Sequence, residues 1–265
     1  MTRLLKPTLA LLILAAPALT ALGDNTLSIK TTPFSDPVKS GSTLVGYGGE
    51  FTATAPGLDL YDYQSPTGAD AGLGLAADQF ETFCVELNQD VTAGTAYSYT
   101  LSNNIELTKG VTEALPVSVA WLYSQFVSGG LASYGYYYGK TGSGGVDSLT
   151  RAESSADLQN VIWELMGETL GVNPDTPEIP TLSDLQTDET SNPNIFLSAV
   201  LSNFSDPEQA ADGAYGVEVA NLVTSSGAVA QNQLTEVPDG GATLALLGVS
   251  LLGLVWLKRR SGLAA

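Results

Sequence analysis

The pattern of apolar and polar positions predicts strands in the first half of the chain. In the segment FETFCVEL, Phe83 and Val85 fall on one face of a strand and Cys84 on the other. The segment TAYSYTL alternates in the same way, with Tyr97 and Tyr99 on one face. Four strands are predicted, at residues 43–54, 58–63, 80–87 and 95–101, with Gly and Asn residues at turns between them.

A helical period replaces this alternation after Pro116, which is placed as the first residue of a helix that stops at Gly129. A second helix is predicted to begin after Thr150, because Thr150 and Glu153 have the spacing of a capping box. It continues through the segment DLQNVIWELMGETL, and Gly171 supplies a left-handed residue for its end. The middle of the chain is therefore predicted to be helical.

The remaining segments predict loops, one short helix and a closing hairpin. Residues 129–147 are rich in Gly and Tyr, and residues 172–194 are rich in Pro, Asp and Thr, which predicts two long loops. A short helix is predicted at 194–203. The last two strands form a hairpin at 215–223 and 228–237.

These elements together predict an α+β fold. A β-sandwich or barrel-like sheet carries an inserted helical subdomain at about residues 112–171. One domain over residues 24–236 accounts for the element order better than two domains, because the last hairpin needs a sheet to join. A single ectodomain is therefore expected between two terminal targeting segments.

The N-terminal segment, residues 1–23, has the three parts of a secretory signal peptide. Arg3 and Lys6 supply the basic start, residues 9–22 supply the apolar run, and the segment closes on small residues at Gly23. The pattern predicts that the protein is exported from the cytoplasm.

The C-terminal segment, residues 237–265, combines a turn, an apolar run and a basic end. The apolar run at 242–257 predicts a transmembrane helix, and the cations that follow it hold that end in the cytoplasm. The turn is formed by Val237, Pro238, Asp239 and Gly240, and the cations are Lys258, Arg259 and Arg260. This tail resembles the VPDSG-CTERM and PEP-CTERM sorting signals of Gram-negative bacteria, with Gly240 where the first of these has serine.

The resemblance implies that a membrane-embedded, exosortase-like enzyme is a partner that recognises and removes the tail. The precursor would then be anchored in the inner membrane before the protein reaches the cell surface or the extracellular matrix of a Gram-negative bacterium. A plain C-terminal membrane anchor is the alternative. Both interpretations place residues 24–236 outside the inner membrane.

Composition narrows the chemistry that the ectodomain can perform. The chain has 28 Asp and Glu against 10 Lys and Arg, one Cys, no His and a formal net charge of −18. This charge repels phosphate backbones, so nucleic acid is not expected as a partner. The same counts exclude histidine-dependent catalysis, a disulfide within the chain and a thiolate zinc site. No metal, no cofactor and no enzymatic turnover are expected.

Cys84 and Gln159 carry the candidate chemistry. An unpaired cysteine is unusual in an exported protein, although a buried free cysteine is often a small core residue. The helical period places Gln159 on the face of Ile162 and Trp163, where an amide needs a hydrogen-bond partner. One hypothesis explains both residues: the Cys84 sulfur attacks the Gln159 carboxamide, ammonia leaves, and a thioester cross-link remains.

Three segments, within a span of about residues 43–237, resemble the thioester domains of bacterial surface adhesins. They are FCVE at 83–86, VAWLYSQF at 119–126 and LQNVIWE at 158–164. The resemblance implies an adhesion function, in which an internal thioester between Cys84 and Gln159 captures an amine on a protein or polysaccharide surface. It also implies a water-excluding apolar shell formed by Phe83, Trp121, Ile162 and Trp163.

The sequence leaves two questions open. The first is which group activates the thiol in a chain without histidine, and Glu86 and Glu164 are candidates by proximity in sequence. The second is whether the bond forms at all. In the alternative, the protein is a non-covalent structural component of an exopolysaccharide matrix, Cys84 is inert, and the tyrosines at 134–138 either stack on sugars or belong to a flexible surface loop.

Overall fold

The computed structural model describes residues 25–40, 43–56, 58, 68–87, 89–144, 149–168 and 195–237. The predicted signal peptide at 1–23 and the predicted transmembrane helix at 242–257 lie outside these residues, as does the sorting segment after Val237. Among the residues that the structure describes, no helix is both long enough and apolar enough to cross a membrane.

Eight strands and three α-helices are formed by the described residues. The strands are β1 (Thr26–Ser40), β2 (Thr43–Thr54), β3 (Gln79–Thr82), β4 (Ala96–Ser102), β5 (Asn104–Thr108), β6 (Val111–Ala114), β7 (Val217–Val223) and β8 (Gln233–Glu236). The helices are α1 (Val117–Ser128), α2 (Arg151–Leu165) and α3 (Ile195–Asn203), with short 3₁₀ turns at Gly130–Tyr134 and Ala214–Gly216.

The main sheet has six antiparallel strands in the order β3-β2-β1-β4-β7-β8, and β5 and β6 form a separate hairpin. Strands β3 and β8 are the two edges of this sheet, and the residues that directly follow β3 pair with β8. The Leu234 N–H donates a hydrogen bond to the Phe83 carbonyl at 3.1 Å. Next to it, Cys84 and Gln233 pair in an antiparallel bridge. Cys84 therefore lies where the two edges of the sheet meet.

Buried apolar side chains form two clusters. The helix cluster contains the buried apolar residues of α1 and α3, Leu158, Val161, Ile162 and Leu165 of α2, and strand and loop residues that include Phe83 and Val85. The sheet cluster contains Leu27, Ile29, Phe51, Ala53, Ala55, Leu58, Cys84, Tyr97, Tyr99, Trp163, Ala220, Leu222 and Ala230. Because α2 contributes to both clusters, it is buried on two sides, and it packs directly against β1 and β2.

The mixed α+β class is confirmed. The strand predicted at 43–54 is β2, and the strand predicted at 95–101 is β4 with its ends moved by one residue. The closing hairpin predicted at 215–223 and 228–237 is formed by the shorter strands β7 and β8. Alternation around Cys84 also holds, because Phe83 and Val85 lie in the helix cluster while Cys84 lies in the sheet cluster. Period-two alternation was informative here because each face of this segment contacts a different core.

The helical insertion is shorter than the predicted range of about 112–171. Residues Val111–Ala114 form β6, because they pair with β5 in a hairpin instead of continuing into the helix. At the other end, Gly167 takes a left-handed φ of 67°, and its N–H donates to the Glu164 carbonyl. Helix α2 therefore stops well before Gly171, which was predicted as the left-handed residue at its C-terminal end and lies outside the described residues.

The structure also contains one strand that was not predicted and one segment that differs from its prediction. Strand β1 contains two prolines: Pro33 lies in the register shift between Thr31 and Ser35 of the pairing with β2, whereas Pro37 stays in register opposite Tyr47. The segment 129–147 is not a free surface loop over its described part. It begins with a 3₁₀ turn, and Tyr136 is only 2% exposed.

Candidate functional site

The N-terminus of α2 fixes the position of the helix that carries Gln159. The Thr150 side chain accepts a hydrogen bond from the Glu153 N–H, and the Glu153 side chain accepts one from the Thr150 N–H. This is the predicted capping box, and it sets the helical phase from its first turn. Gln159 and Trp163, one turn apart, consequently point toward the same side of α2.

The structure brings Cys84 and Gln159 into direct contact. Gln159 Nε2 donates to the Cys84 carbonyl at 2.8 Å, and the Cys84 N–H donates to Gln159 Oε1 at 3.2 Å. Cys84 is fully buried and Gln159 is 1% exposed. Both polar groups of the Cys84 backbone are therefore hydrogen-bonded to the Gln159 carboxamide. A buried amide needs hydrogen-bond partners, and for Gln159 the partner is Cys84.

Trp163 and Gly48 close the site on the side of α2 and β2. Trp163 belongs to the same cluster as Cys84 and is 3% exposed. At Gly48, an added Cβ would stand 2.7 Å from Trp163 Cη2 and 3.4 Å from Gln159 Cγ. Only a glycine lets strand β2 approach the helix this closely, so the Trp163 ring and the β2 backbone together exclude water from the carboxamide.

The other predicted shell residues lie in the helix cluster. Phe83 packs edge-on against Phe126 with ring centroids 4.9 Å apart. Trp121 contacts Tyr134 and Phe204, at centroid distances of 5.7 and 5.8 Å. Ile162 is buried in the same cluster. Of the four shell residues predicted from sequence, Trp163 alone shares a cluster with the Cys84 side chain, while the others stabilise the elements that carry the site.

Burial dominates the electrostatics at the sulfur. It raises the pKa of the Cys84 thiol to about 12, against a hydrogen bond from Gln233 that lowers it, while the charges of Glu86 and Asp90 raise it further. Of the two carboxylates considered as a base, Glu86 is bonded to the Asn232 N–H at 2.8 Å and to the Asn232 side chain. Its pKa is raised to about 7 by burial. The thiol is therefore neutral at physiological pH, and the Glu86 carboxyl is engaged with Asn232.

Gln233 is a site residue that the sequence did not indicate. Its Nε2 lies 3.5 Å from Cys84 Sγ, and the residue is fully buried. Among the described residues, Gln233 Oε1 and Trp163 Nε1 are buried without a hydrogen-bond partner. The polar run QNQ at 231–233, inside an otherwise apolar hairpin, is the sequence signal that could have identified it.

A second buried polar group lies at the start of α2. Arg151, which is 1% exposed, binds Glu50 through Nε at 2.9 and 3.1 Å and through Nη2, and Tyr136 donates to Glu50 Oε2 at 2.9 Å. Arg151 Nη1 donates to the Tyr138 carbonyl at 2.8 Å and Nη2 to the Ala69 carbonyl at 2.5 Å. Burial lowers the pKa of Arg151, but the hydrogen bonds and charge of Glu50 outweigh it and hold the guanidinium protonated.

Glu81 adds a carboxyl beside this ion pair. Burial, followed by the negative charge of Glu50, raises the pKa of Glu81 to about 9, against a hydrogen bond from Thr52 that lowers it. Thr52 Oγ1 donates to Glu81 Oε1 at 2.6 Å, and Glu81 is 1% exposed. At neutral pH, Glu81 is therefore a neutral acid next to the charged Glu50. Within the described part of the chain, no group of His, Cys, Asp and Glu side chains is arranged to hold a metal ion.

Comparison with known proteins bears on the end of the chain. A family model described as the VPDSG-CTERM motif matches residues 236–261. The chain carries an exosortase-type sorting tail. This motif indicates that the protein is exported through a membrane-anchored precursor and is processed by an exosortase-like enzyme. Neither a curated protein nor a solved structure matches the chain.

Proposed function

We propose that this exported protein forms an internal thioester between Cys84 and Gln159 and uses it to capture amines covalently at the cell surface. The observation that carries the proposal is the reciprocal hydrogen bonding between the Gln159 carboxamide and the backbone of Cys84, at 2.8 and 3.2 Å in a fully buried setting. A core glutamine has many possible partners. Gln159 is hydrogen-bonded to the backbone of Cys84, the single cysteine in the chain.

Bond formation is an acyl transfer that needs no cofactor. The Cys84 sulfur attacks Gln159 Cδ, the carbon–sulfur bond forms, and the carbon–nitrogen bond breaks. The thiol proton ends on the departing nitrogen, which leaves as ammonia. The Cys84 N–H, 3.2 Å from Gln159 Oε1, stabilises the negative charge that this oxygen acquires in the tetrahedral intermediate. Two groups fixed on facing elements also benefit from effective molarities of about 10⁵–10⁸ M.

In the capture step, the carbon–sulfur bond breaks and a new carbon–nitrogen bond forms. An amine such as a lysine side chain of the target attacks the Gln159 carbonyl carbon, the carbon–sulfur bond breaks, and a proton from the amine ends on sulfur. The products are an amide bond to the target and a free Cys84 thiol, so each molecule reacts once. Burial at Trp163 and Gly48 keeps water from the thioester until a nucleophile enters.

Intact-mass analysis of the purified exported protein tests the proposal. The wild type is expected to be lighter than its mature sequence by one ammonia, and methylamine is expected to add one methylamine and release one thiol. Cys84→Ala and Gln159→Ala each remove the deficit, whereas the control Gln125→Ala, on α1, retains it. A wild-type mass equal to that of the sequence, unchanged by methylamine, would contradict covalent capture.

One observation favours a second function, a non-covalent structural role in a surface matrix. Cys84 has the complete burial and raised thiol pKa of an inert core residue. In that case the Gln159 amide serves only to satisfy the Cys84 backbone. The same mass experiment separates the two functions, because an inert cysteine gives a full-mass protein with one thiol that reacts only after unfolding.

For the final location, we propose an inner-membrane precursor whose tail is removed before the protein reaches the surface or matrix of a Gram-negative cell. The match at 236–261 supports the sorting step. Deleting the three cations Lys258, Arg259 and Arg260 is expected to leave uncleaved precursor in the membrane fraction. Normal processing of this variant would contradict their role in the signal.

A further inference from the structure

We propose that Gln233 is a positioning residue of the Cys84–Gln159 site, whose carboxamide N–H stabilises negative charge on the sulfur when the carbon–sulfur bond forms and breaks. The inference rests on the proposed thioester and assigns the chemistry at its sulfur. It answers the question left by a chain without histidine, namely which group assists a buried thiol.

The geometry fixes Gln233 beside the sulfur by backbone as well as side chain. Cys84 and Gln233 form the bridge that joins the two edges of the sheet, and both are fully buried. Gln233 Nε2 lies 3.5 Å from Cys84 Sγ, within the range of an N–H···S hydrogen bond. Because directly paired residues of antiparallel strands project to the same face, the bridge keeps the Gln233 side chain next to the Cys84 side chain.

The Gln233 amide is not committed to a structural role elsewhere. Its other donor contact, to the Gln231 carbonyl, is long at 3.4 Å, and its Oε1 is buried without a partner among the described residues. The neighbouring Gln231 differs, because its Nε2 donates to the Glu86 carbonyl at 2.9 Å. Buried amides that serve structure are normally bonded at both ends, so Gln233 needs another explanation.

Sulfur chemistry supplies that explanation. When an amine attacks the Gln159 carbonyl, the electron pair of the carbon–sulfur bond stays on Cys84 as a thiolate. Burial disfavours this charge, and a hydrogen-bond donor at the sulfur offsets part of the cost. The same N–H stabilises the sulfur as the thiol proton leaves during bond formation. Gln233 thus favours the charged sulfur in both directions of the reaction.

The test compares the rate at which methylamine reacts with the preformed thioester, followed by intact mass, in four proteins: the wild type, Gln233→Met, Gln233→Asn and Gln231→Met. Methionine matches glutamine in length but lacks the donor, and asparagine keeps a buried amide while withdrawing it from the sulfur. We expect both Gln233 variants to react about ten- to hundredfold more slowly than the wild type. Gln231→Met, which also loses a buried amide but not one at the sulfur, is expected to react at the wild-type rate.

Whether the methylamine reaction becomes slower or faster distinguishes this role from a contribution to packing alone. A variant that merely loosened the core would admit water and amine, and would react faster. Wild-type or faster reaction of the Gln233 variants would therefore overturn the inference while leaving the thioester intact. A Gln233 variant that folds but lacks the ammonia deficit, where Gln231→Met has it, would support the same role in bond formation. If the wild-type protein lacks the ammonia deficit, both the proposed function and this inference are contradicted. The mass of the wild type alone decides this outcome, so it is distinct from a failure of the Gln233 inference.

Discussion

The first turn of α2 buries a charged side chain against β2, whereas its later turns bury a neutral amide against the same strand. At the first turn, Arg151 and Glu50 are paired with each other and with further donors and acceptors. At Gln159, the amide makes two hydrogen bonds to the Cys84 backbone, while the nearby Trp163 Nε1 and Gln233 Oε1 find no partner within the part of the chain that the structure describes. An unpaired buried charge costs more than an unpaired neutral group, but the neutral group still costs about 1–3 kcal/mol, so the unpartnered atoms near Gln159 require an explanation.

This difference suggests a division of labour along one helix. The ion pair fixes α2 to the sheet, because removing either partner would leave a buried charge. The amide end is held by weaker, neutral contacts that break at lower cost when the proposed bond forms. If this division holds, substitutions at the first turn should change the free energy of unfolding, and substitutions at the later turns should change thioester formation.

The largest effect is expected for Arg151→Met. This variant leaves Glu50 buried without its cation, and we expect the free energy of unfolding to fall by about 3–5 kcal/mol. Urea unfolding measures the change. The double variant Arg151→Met with Glu50→Gln is the control, and it should recover part of the loss because no charge then remains unpaired. The folded fraction of Arg151→Met should keep the ammonia deficit, and its absence there would break the proposed division.

Gly48→Ala is expected to have the next largest effect, and to act on the other end of the helix. Its Cβ would meet Trp163 Cη2 at 2.7 Å, which forces Trp163 or β2 to move. Such overpacking costs about 1–3 kcal/mol of folding free energy. Because Gln159 Cγ lies 3.4 Å from the same Cβ, we also expect slower loss of ammonia.

Two variants sharpen this test of the Gly48 contact. Gly130→Ala places its Cβ against the end of the Gln125 side chain, which can rotate away, so it should be nearly neutral. Trp163→Phe removes the atom that the Gly48→Ala methyl would meet, so the double variant should be more stable than the sum of the two single changes predicts. Purely additive effects would show that the contact is not the cause.

The pH dependence of the free energy of unfolding should reveal the proton held by Glu81, which lies beside the Arg151–Glu50 pair. Glu81 has a raised pKa of about 9, so the native state keeps a proton that the unfolded chain releases at about pH 4.5. Between these values the native state binds more protons, and stability therefore falls as pH rises, by up to about 1.4 kcal/mol per pH unit. Glu86 and Glu236, with pKa values raised to about 7, add to the fall below neutrality.

The Glu81 contribution is the difference between the wild type and Glu81→Gln in urea unfolding between pH 7 and pH 9, because the other titrating groups are common to both proteins. We expect Glu81→Gln to flatten the fall in this range, because glutamine binds no proton in either state. Glu113→Gln, at an exposed position of β6, is the matched control and should retain the wild-type slope. An unchanged slope in Glu81→Gln would show that the proton is held elsewhere.

The sequence was sufficient for features that depend on local pattern. Alternation placed Cys84 and Phe83 on opposite faces, and the capping box placed the start of α2 and hence the direction of Gln159. Features that depend on distant pairing were not accessible. Arg151 looked like an ordinary first-turn residue, and Gln233 became relevant only once the sheet brought its strand to Cys84. No local propensity encodes such contacts, which join residues about 100 and 150 positions apart.

The smallest effect is expected for Thr150→Ala. This variant tests whether the helix cap or the Arg151–Glu50 ion pair holds α2 in place. The variant removes the hydroxyl that accepts from the Glu153 N–H and donates to Glu153 Oε2, so the first turn loses two hydrogen bonds. We expect a loss of about 1 kcal/mol in unfolding free energy. Thr150→Ser keeps the acceptor and is the control. Because the Arg151–Glu50 pair still fixes the helix, the ammonia deficit should be unchanged. A reduced deficit in Thr150→Ala would mean that the cap, and not the ion pair, sets the Gln159 geometry.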